Sequence, residues 1–426
     1  MAIEGQTSAK HKNFNNQGTL KENYRIILNL LSGRLNEVPA VADWHGVFEF
    51  AQAQGVAAVV WDSIYKLLQK GTWSERADAE REKSGDVNKE VEGQKGDGEG
   101  GAPKVDMPKD LQLQWLGLAV QYEQRYAHYE QAIGRLAKFY DSEGIKMMVL
   151  KGYGLSLYYP VPKHRPCGDI DIWQFGRQKE ADDAIHAKKG IKIDNSHHHH
   201  TVFYVGTFMV ENHYDFGNVH AHLSSAKIEL LMKELGMDDS RSTVISCADA
   251  GADGARIYLP ASKLNAIFLL KHAAAHWAAA EITLRHLLDW AYFVRAESAE
   301  IDWQWLYSTA KEYNMDKFLA AKNAICVDYL GFDKAKFPVL SVNAQGEFED
   351  CADSATFKAI EERIFNDILC PEFNEPAPEN LLKGIIWKYR RWRANSWKHR
   401  LVYPESLFVT FFVQLYSHIL KPKSFR

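Results

Sequence analysis

Apolar residues recur at three- and four-residue spacing in NYRIILNLL, DWHGVFEFAQ and AAVVWDSIYKLL, between about Thr19 and Gln69. That is the period of helices that bury one face. Met107 to Gly144 keeps the period and predicts one long helix. It then changes: KMMVLKG is a short apolar run ending at Lys151-Gly152 and predicts a buried strand, and GDIDIW alternates strictly and predicts a second. KEADDAIHAKKG returns to helix, closed by Gly190. HTVFYVGTFMVENHYDFG and NVHAHL alternate again as strands, with Gly206-Thr207 as a hairpin turn. From Ala261 the helical period resumes through SKLNAIFLLKHAAAHWAAAEITLRHLLDWAYFVRA, WQWLYSTAKEY, MDKFLAAKNAICVDYL and TFKAIEERIFNDIL. The expected class is α+β, a small mixed β-sheet core flanked by N-terminal helices and a C-terminal helical bundle. The expected regions are an N-terminal helical one over 1–80, a low-complexity insertion over 81–106, an α/β core over 107–258 and a C-terminal helical region over 259–426.

Arg81 to Asp106 is charged, glycine-rich and without aromatics, so it lacks the apolar surface to offset the entropy of ordering. Its Gly96-x-Gly98-x-Gly100-Gly101 has no apolar strand before it and no helix directly after it, which excludes a phosphate loop there. With 426 residues, 46% of them hydrophobic, the chain can build sizeable cores. A formal net charge of −4 gives no general attraction to nucleic acid, so any basic function is local. The five cysteines, Cys167, Cys247, Cys326, Cys351 and Cys370, form no Cys-x-x-Cys pair. This argues against a zinc ribbon or a disulfide framework and fits a reducing compartment. The N-terminus lacks the apolar core of a signal peptide, so a cytoplasmic location is expected. LFVTFFVQLYSHIL, Leu407 to Leu420, is broken by Gln414, Ser417 and His418 and is shorter than the roughly 20 residues of a bilayer span. It reads as a buried helix, and no transmembrane span is expected.

The stretch LKGYGLSLYYPVPKHRPCGDIDIW carries the chemistry. On a strand, Asp169 and Asp171 project to one side while Ile170 and Ile172 enter the core. Two carboxylates so close repel unless a cation lies between them. A hard divalent ion, Mg²⁺ or Mn²⁺, suits such oxygens and leaves positions for phosphates and water. Lys151-Gly152 at a strand end, Gly154 and the following short helix offer backbone N–H groups to a triphosphate. Ser156 would add a hydroxyl, and Arg165 a guanidinium able to fork onto a phosphate or an acidic acceptor, or else to form a salt bridge to a loop acid.

Lys151-Gly152, Tyr159-Pro160 and Arg165-Pro166-Cys167-Gly168-Asp169-Ile170-Asp171 together resemble the "uncharacterised nucleotidyltransferase" group of the DNA polymerase beta-like nucleotidyltransferases. GTFMVENHYDF is similar to that group's Glu-x-His after a Gly turn, here Gly206, Glu211 and His213. LRHLLDWAYFV is similar to its helical segment with an Arg and an Asp, here Arg285 and Asp289. The similarity spans roughly Met147 to Arg295. The superfamily's usual Gly-Ser or Gly-Gly pair is Gly152-Tyr153 in this chain, with a longer gap to the first aspartate. The resemblance implies an enzyme, a nucleotidyltransferase moving a nucleoside monophosphate from an NTP to a hydroxyl acceptor on a small molecule, a protein or an RNA. Asp169, Asp171 and Glu211 would be catalytic and hold Mg²⁺ or Mn²⁺, with Asp215 as the alternative third carboxylate. Lys151, Gly152, Gly154, Ser156, Arg165, Gly168 and His213 would bind the nucleotide. The alternative is a nucleotide- or RNA-binding interaction module on the same fold, without turnover.

Two other patterns compete for notice. SHHHHTVFY with His213, His220 and His222 places imidazoles on alternating strands, a pattern compatible with zinc. No His-Glu-x-x-His helix accompanies it, and His272 and His276 in HAAAH lack the catalytic Glu. The strand histidines are expected to rim the pocket or support the carboxylates. WKYRRWRANSWKHR, Trp387 to Arg400, interleaves aromatic and basic residues; it reads either as a nucleic-acid grip or as an amphipathic helix with packed tryptophans and snorkelling cations.

Overall fold

The computed structural model of the protein describes residues 17–69, 105–238, 240–245, 254–343, 345–378 and 380–420. The N-terminal segment through Asn16, the glycine run Gly96 to Gly101 and Cys247 lie outside the described residues. The class is α+β, as the patterning implies. Helices α1 (Gln17–Ser32), α2 (Trp44–Ala53) and α3 (57–69) precede the 34-residue α4 (Lys109–Ser142). The core follows as β1 (Met148–Val149), α5 (Gly152–Ser156), β2 (Ile170–Trp173), α6 (Gln178–Lys189), β3 (His200–Val205), β4 (Phe208–His213), α7 (Leu223–Asp238), β5 (Ser240–Ile245) and β6 (Ala255–Pro260). Then come α8 (Ser262–Ala279), α9 (Leu284–Glu297), α10 (Trp303–Glu312), α11 (Asp316–Asp328), the small hairpin β7 (Leu340–Val342) and β8 (Phe348–Asp350), and α12 (Ala355–Leu369), α13 (Leu381–Ala394), α14 (Ser396–Val402) and α15 (Leu407–Leu420).

Six strands form one mixed sheet in the order β3-β4-β2-β1-β6-β5. β4 and β2 run parallel, as do β1 and β6; the other pairs are antiparallel. Strand alternation divides the side chains between two apolar layers. Val149, Ile170, Ile172, Phe203, Val210 and Ile257 pack with Tyr129, Ile133, Leu136 and Tyr140 of α4 and Ile185 of α6. Met148, Leu150 and Trp173 face the other way, into a large core shared with α7, α8 and the helices at both ends of the chain. Ile170 and Ile172 are fully buried, worth about 1.5–3 kcal/mol each. A one-residue slip of β2 would exchange them for Asp171 and Trp173, so the apolar layer fixes which face the carboxylate takes.

Local turns account for most other features. Gly190 closes α6 at φ 66°, and Gly206, at φ 60°, makes the two-residue loop between β3 and β4. NVHAHL is not the expected strand. The Asn218 side chain accepts a hydrogen bond from the His220 backbone N–H, and Ala221 N donates to Asn218 O. This turn competes with strand extension and delivers the chain to α7. The sheet is completed by β5 and β6. Leu407 to Leu420 is the expected helix, but its first two turns are not wholly buried, since Phe408 is 73% and Phe412 50% exposed. Among the described residues no helix is long and apolar enough to cross a membrane.

Candidate active site

β2 and β4 are parallel neighbours whose register sets Asp171 beside Glu211 and Trp173 beside His213. Since Ile170 and Val210 belong to the α4 layer, Asp171, Glu211 and His213 share the opposite face. The Asp171 carboxylate is buried; its Oδ1 lies 2.8 Å from Lys151 Nζ and 3.0 Å from His213 Nε2. Glu211 Oε2 is 3.6 Å from the same imidazole nitrogen, and Glu211 Oε1 is 3.7 Å from His200 Nε2.

Charge compensation is uneven across this group. Burial raises the pKa of Asp171, but the Lys151 ammonium and the His213 contact outweigh it and hold the group far below the usual carboxylate range. Burial likewise lowers that of His213, yet hydrogen bonding to Asp171 and Glu211 lifts it to about 9. Asp169 is pushed up to about 6, first by the neighbouring Asp171 charge and then by burial. The site thus holds more negative charge than Lys151 and His213 cancel, which suits an added cation. Asp171, Glu211 and His213 each offer a ligand atom within 4.8 Å of the others. Two carboxylates fit Mg²⁺, and the imidazole widens the fit to Mn²⁺. Asp169 stands outside that trio, at the adjoining pocket.

The loop before Asp169 is held from α4. The Tyr129 hydroxyl donates to Asp169 O at 2.6 Å, and Arg125 donates to Cys167 O and Gly168 O. Gly152 packs against the same tyrosine: a Cβ there would lie 2.3 Å from the hydroxyl oxygen. Its φ of 47° also belongs to the left-handed region that glycine enters at little cost.

The pocket beside Asp169 and Asp171 is lined by Lys151, Gly152, Arg165 and Gly168, and across from them by His272 and His276 of α8, Arg285, His286, Asp289 and Trp290 of α9, and Lys322 of α11. Of the residues expected to bind nucleotide, Lys151, Gly152, Arg165 and Gly168 therefore line it, while His213 contacts Asp171 from the β4 side. Gly154 and Ser156 are not brought there. Gly154 N donates to Lys151 O inside α5, and a side chain at 154 would press on Leu259. Ser156 is fully buried, donating to Tyr153 O and sharing a 2.8 Å hydrogen bond with the Tyr126 hydroxyl. Arg165 spends its fork inside the protein: Nε and Nη2 reach the two Asp289 oxygens at 2.7 and 2.9 Å, and Tyr159 donates to the same carboxylate. Asp215, the alternative third carboxylate, is paired with Lys233.

Sequence reasoning missed Lys322 and Arg125. Lys322 is 1% exposed, with its ammonium 4.2 Å from the Trp290 ring centre. Burial lowers its pKa to about 7. The available signal was a lone lysine inside the apolar run FLAAKNAICV. Arg125 carried no comparable signal, because it acts on backbone carbonyls more than forty residues away.

A parallel strand pair with abutting carboxylates, a Lys-Gly bend and a helical wall carrying Arg285 and Lys322 define a charge-concentrating site over the central strands of an α+β core. Residues 40–331 match the family described as uncharacterised nucleotidyltransferase. The match covers more than half of the chain, so the chain belongs to that family and is a nucleotidyltransferase. No curated protein and no solved structure matches it.

Proposed function

We propose that the chain transfers a nucleoside monophosphate from an NTP to a hydroxyl acceptor with a divalent ion, Mg²⁺ or Mn²⁺, held by Asp171 and Glu211, with Asp169 joining them from the pocket side. The observation that carries this reading is the register of β2 on β4, which sets Asp171 and Glu211 side by side next to Lys151. The ion, when bound, supplies charge neutralisation at the phosphates and acidity to an oxygen it touches. The chain's own groups do the positioning on which phosphoryl-type transfer depends. Gly152 leaves room for close approach at the bend. Lys151 stands at the carboxylates as a counter-charge. Arg285 and Lys322 form no salt bridge among the described residues, and Arg285 Nε is buried without a hydrogen-bond partner. Arg285 faces the acidic pair across the pocket, and Lys322 beside it takes up a proton when a triphosphate supplies the counter-charge. The Arg165–Asp289–Tyr159 cluster fixes α9 against the loop that leads to β2.

The experiment is transfer of label from α-³²P NTPs, in Mg²⁺ or Mn²⁺, to a panel of small-molecule, protein and RNA acceptors. The wild type is expected to label at least one acceptor, and Asp171→Asn and Glu211→Gln to reduce the rate at least about 100-fold. Labelling that persists in both variants overturns the proposal. NTP binding by calorimetry with no transfer to any acceptor would point instead to the binding-module reading.

A further inference from the structure

A second ligand set lies on the same sheet face, farther from the pocket. His200 is the cross-strand partner of His213. His199 precedes it at the mouth of β3, where its carbonyl accepts hydrogen bonds from the Tyr214 and Asp215 backbone N–H groups. The three rings pack against one another with centroids 4.4 to 5.6 Å apart, and each offers a nitrogen within 4.8 Å of the others. Two observations indicate that this cluster is built for a ligand. Nδ1 of His199 and Nδ1 of His200 are buried with no hydrogen-bond partner, although His200 is only 6% exposed. An orphaned buried polar group costs about 1–3 kcal/mol, a cost that a bound ion would remove from both rings at once. In addition, His213 Nδ1 lies 3.1 Å from Asp215 O. A carbonyl only accepts, so Nδ1 donates there and the ring is held with Nε2 toward the carboxylates, the arrangement by which proteins orient metal-binding imidazoles; an ion that takes Nε2 displaces the proton this nitrogen shares with Asp171.

The geometry points to a transition-metal site formed by His199, His200 and His213 and bordered by Glu211, selective for a borderline ion such as Zn²⁺ or Co²⁺ over Mg²⁺. Imidazole nitrogen suits such ions, whereas Mg²⁺ prefers oxygen. His213 links this set to the carboxylates, because its Nε2 also touches Asp171. An ion taken by the imidazoles therefore competes for the ring that supports Asp171. Metal binding at this site requires neither NTP nor acceptor, so its fate is separate from that of the transferase proposal.

The test is titration of the full-length chain, without nucleotide, with Co²⁺ followed by its visible d–d bands and with Zn²⁺ by calorimetry, in excess Mg²⁺. One ion per chain is expected. His199→Ala and His200→Ala should each weaken it at least about 10-fold. The exposed-residue controls His128→Ala and His220→Ala should bind as the wild type does. His199→Gln keeps the side-chain size and serves if an alanine variant does not fold. Absent bands, bands that persist in a His199→Ala, His200→Ala double variant, or a Zn²⁺ affinity displaced in proportion to Mg²⁺ would each overturn the assignment.

Discussion

At the scale of single residues, Gly152 joins the fold to the site. An alanine there meets two separate obstacles: collision with the Tyr129 hydroxyl at 2.3 Å, and a left-handed backbone that costs a side chain roughly 1–2 kcal/mol. Gly152→Ala is expected to lower the unfolding free energy by more than the backbone cost alone. In a Tyr129→Phe background the nearest ring atom is Cζ at 3.5 Å, an ordinary contact, so part of the loss should return. Urea unfolding of the four proteins in this double-mutant cycle decides it, and strictly additive losses would show that the collision is not felt. Placement was legible where it depended on neighbours in the chain, as with Asp169, Asp171 and Lys151, which line one pocket. It was not legible for Arg165, whose acceptor Asp289 lies 124 positions away, or for Ser156, whose hydroxyl is used inside the packing of α4 on α5.

At the scale of elements, β2 behaved as its alternation required, and Gly190 and Gly206 ended α6 and turned the β3–β4 hairpin through a left-handed conformation. NVHAHL failed because a four-residue turn around Asn218 satisfied its backbone first. The basic aromatic stretch Trp387 to Arg400 divides at Asn395 into α13 and α14. Its second half is committed to packing: Lys398 is fully buried, 2.6 Å from Asp367, and Arg363 stacks on Trp397. Asp367 also accepts from the Trp277 indole, so this one carboxylate ties α8, α12 and α14 together. Asp367→Ala leaves a buried ammonium and an indole N–H unpaired and is expected to cost about 3–5 kcal/mol, against a smaller loss for the double change Asp367→Ala, Lys398→Met. Chemical denaturation measures both; equal losses would deny the coupling.

At the scale of the whole molecule, the pocket forms where α8, α9 and α11 close over the central strands β1 and β2, which places Lys322 in a buried wall. Burial lowers its pKa to about 7 from an ordinary 10.5. Between those values the unfolded chain binds the proton that the folded chain has released, so stability rises with pH across that window and falls as pH drops toward 7. Lys322→Met is expected to flatten this rise and to be the more stable protein at pH 7. Unfolding free energies at several pH values from 7 to 10 give the comparison. An identical slope in both proteins would show that Lys322 does not carry the linkage.

The amino-acid order alone determined the class of fold, the strand that carries Asp171 and the presence of carboxylates suited to a divalent ion, because alternation and turn chemistry act within a few residues. The resemblance already favoured Glu211 over Asp215 as the third carboxylate, but only tertiary structure set it against Asp171 and sent Asp215 to Lys233, closed Arg165 on Asp289 and turned Lys322 to the acids across the pocket. Those partners come from segments tens to more than a hundred residues apart. Their meeting depends on strand register and helix packing: a local pattern can nominate Glu211 or Asp289 but carries no signal for which group each one meets.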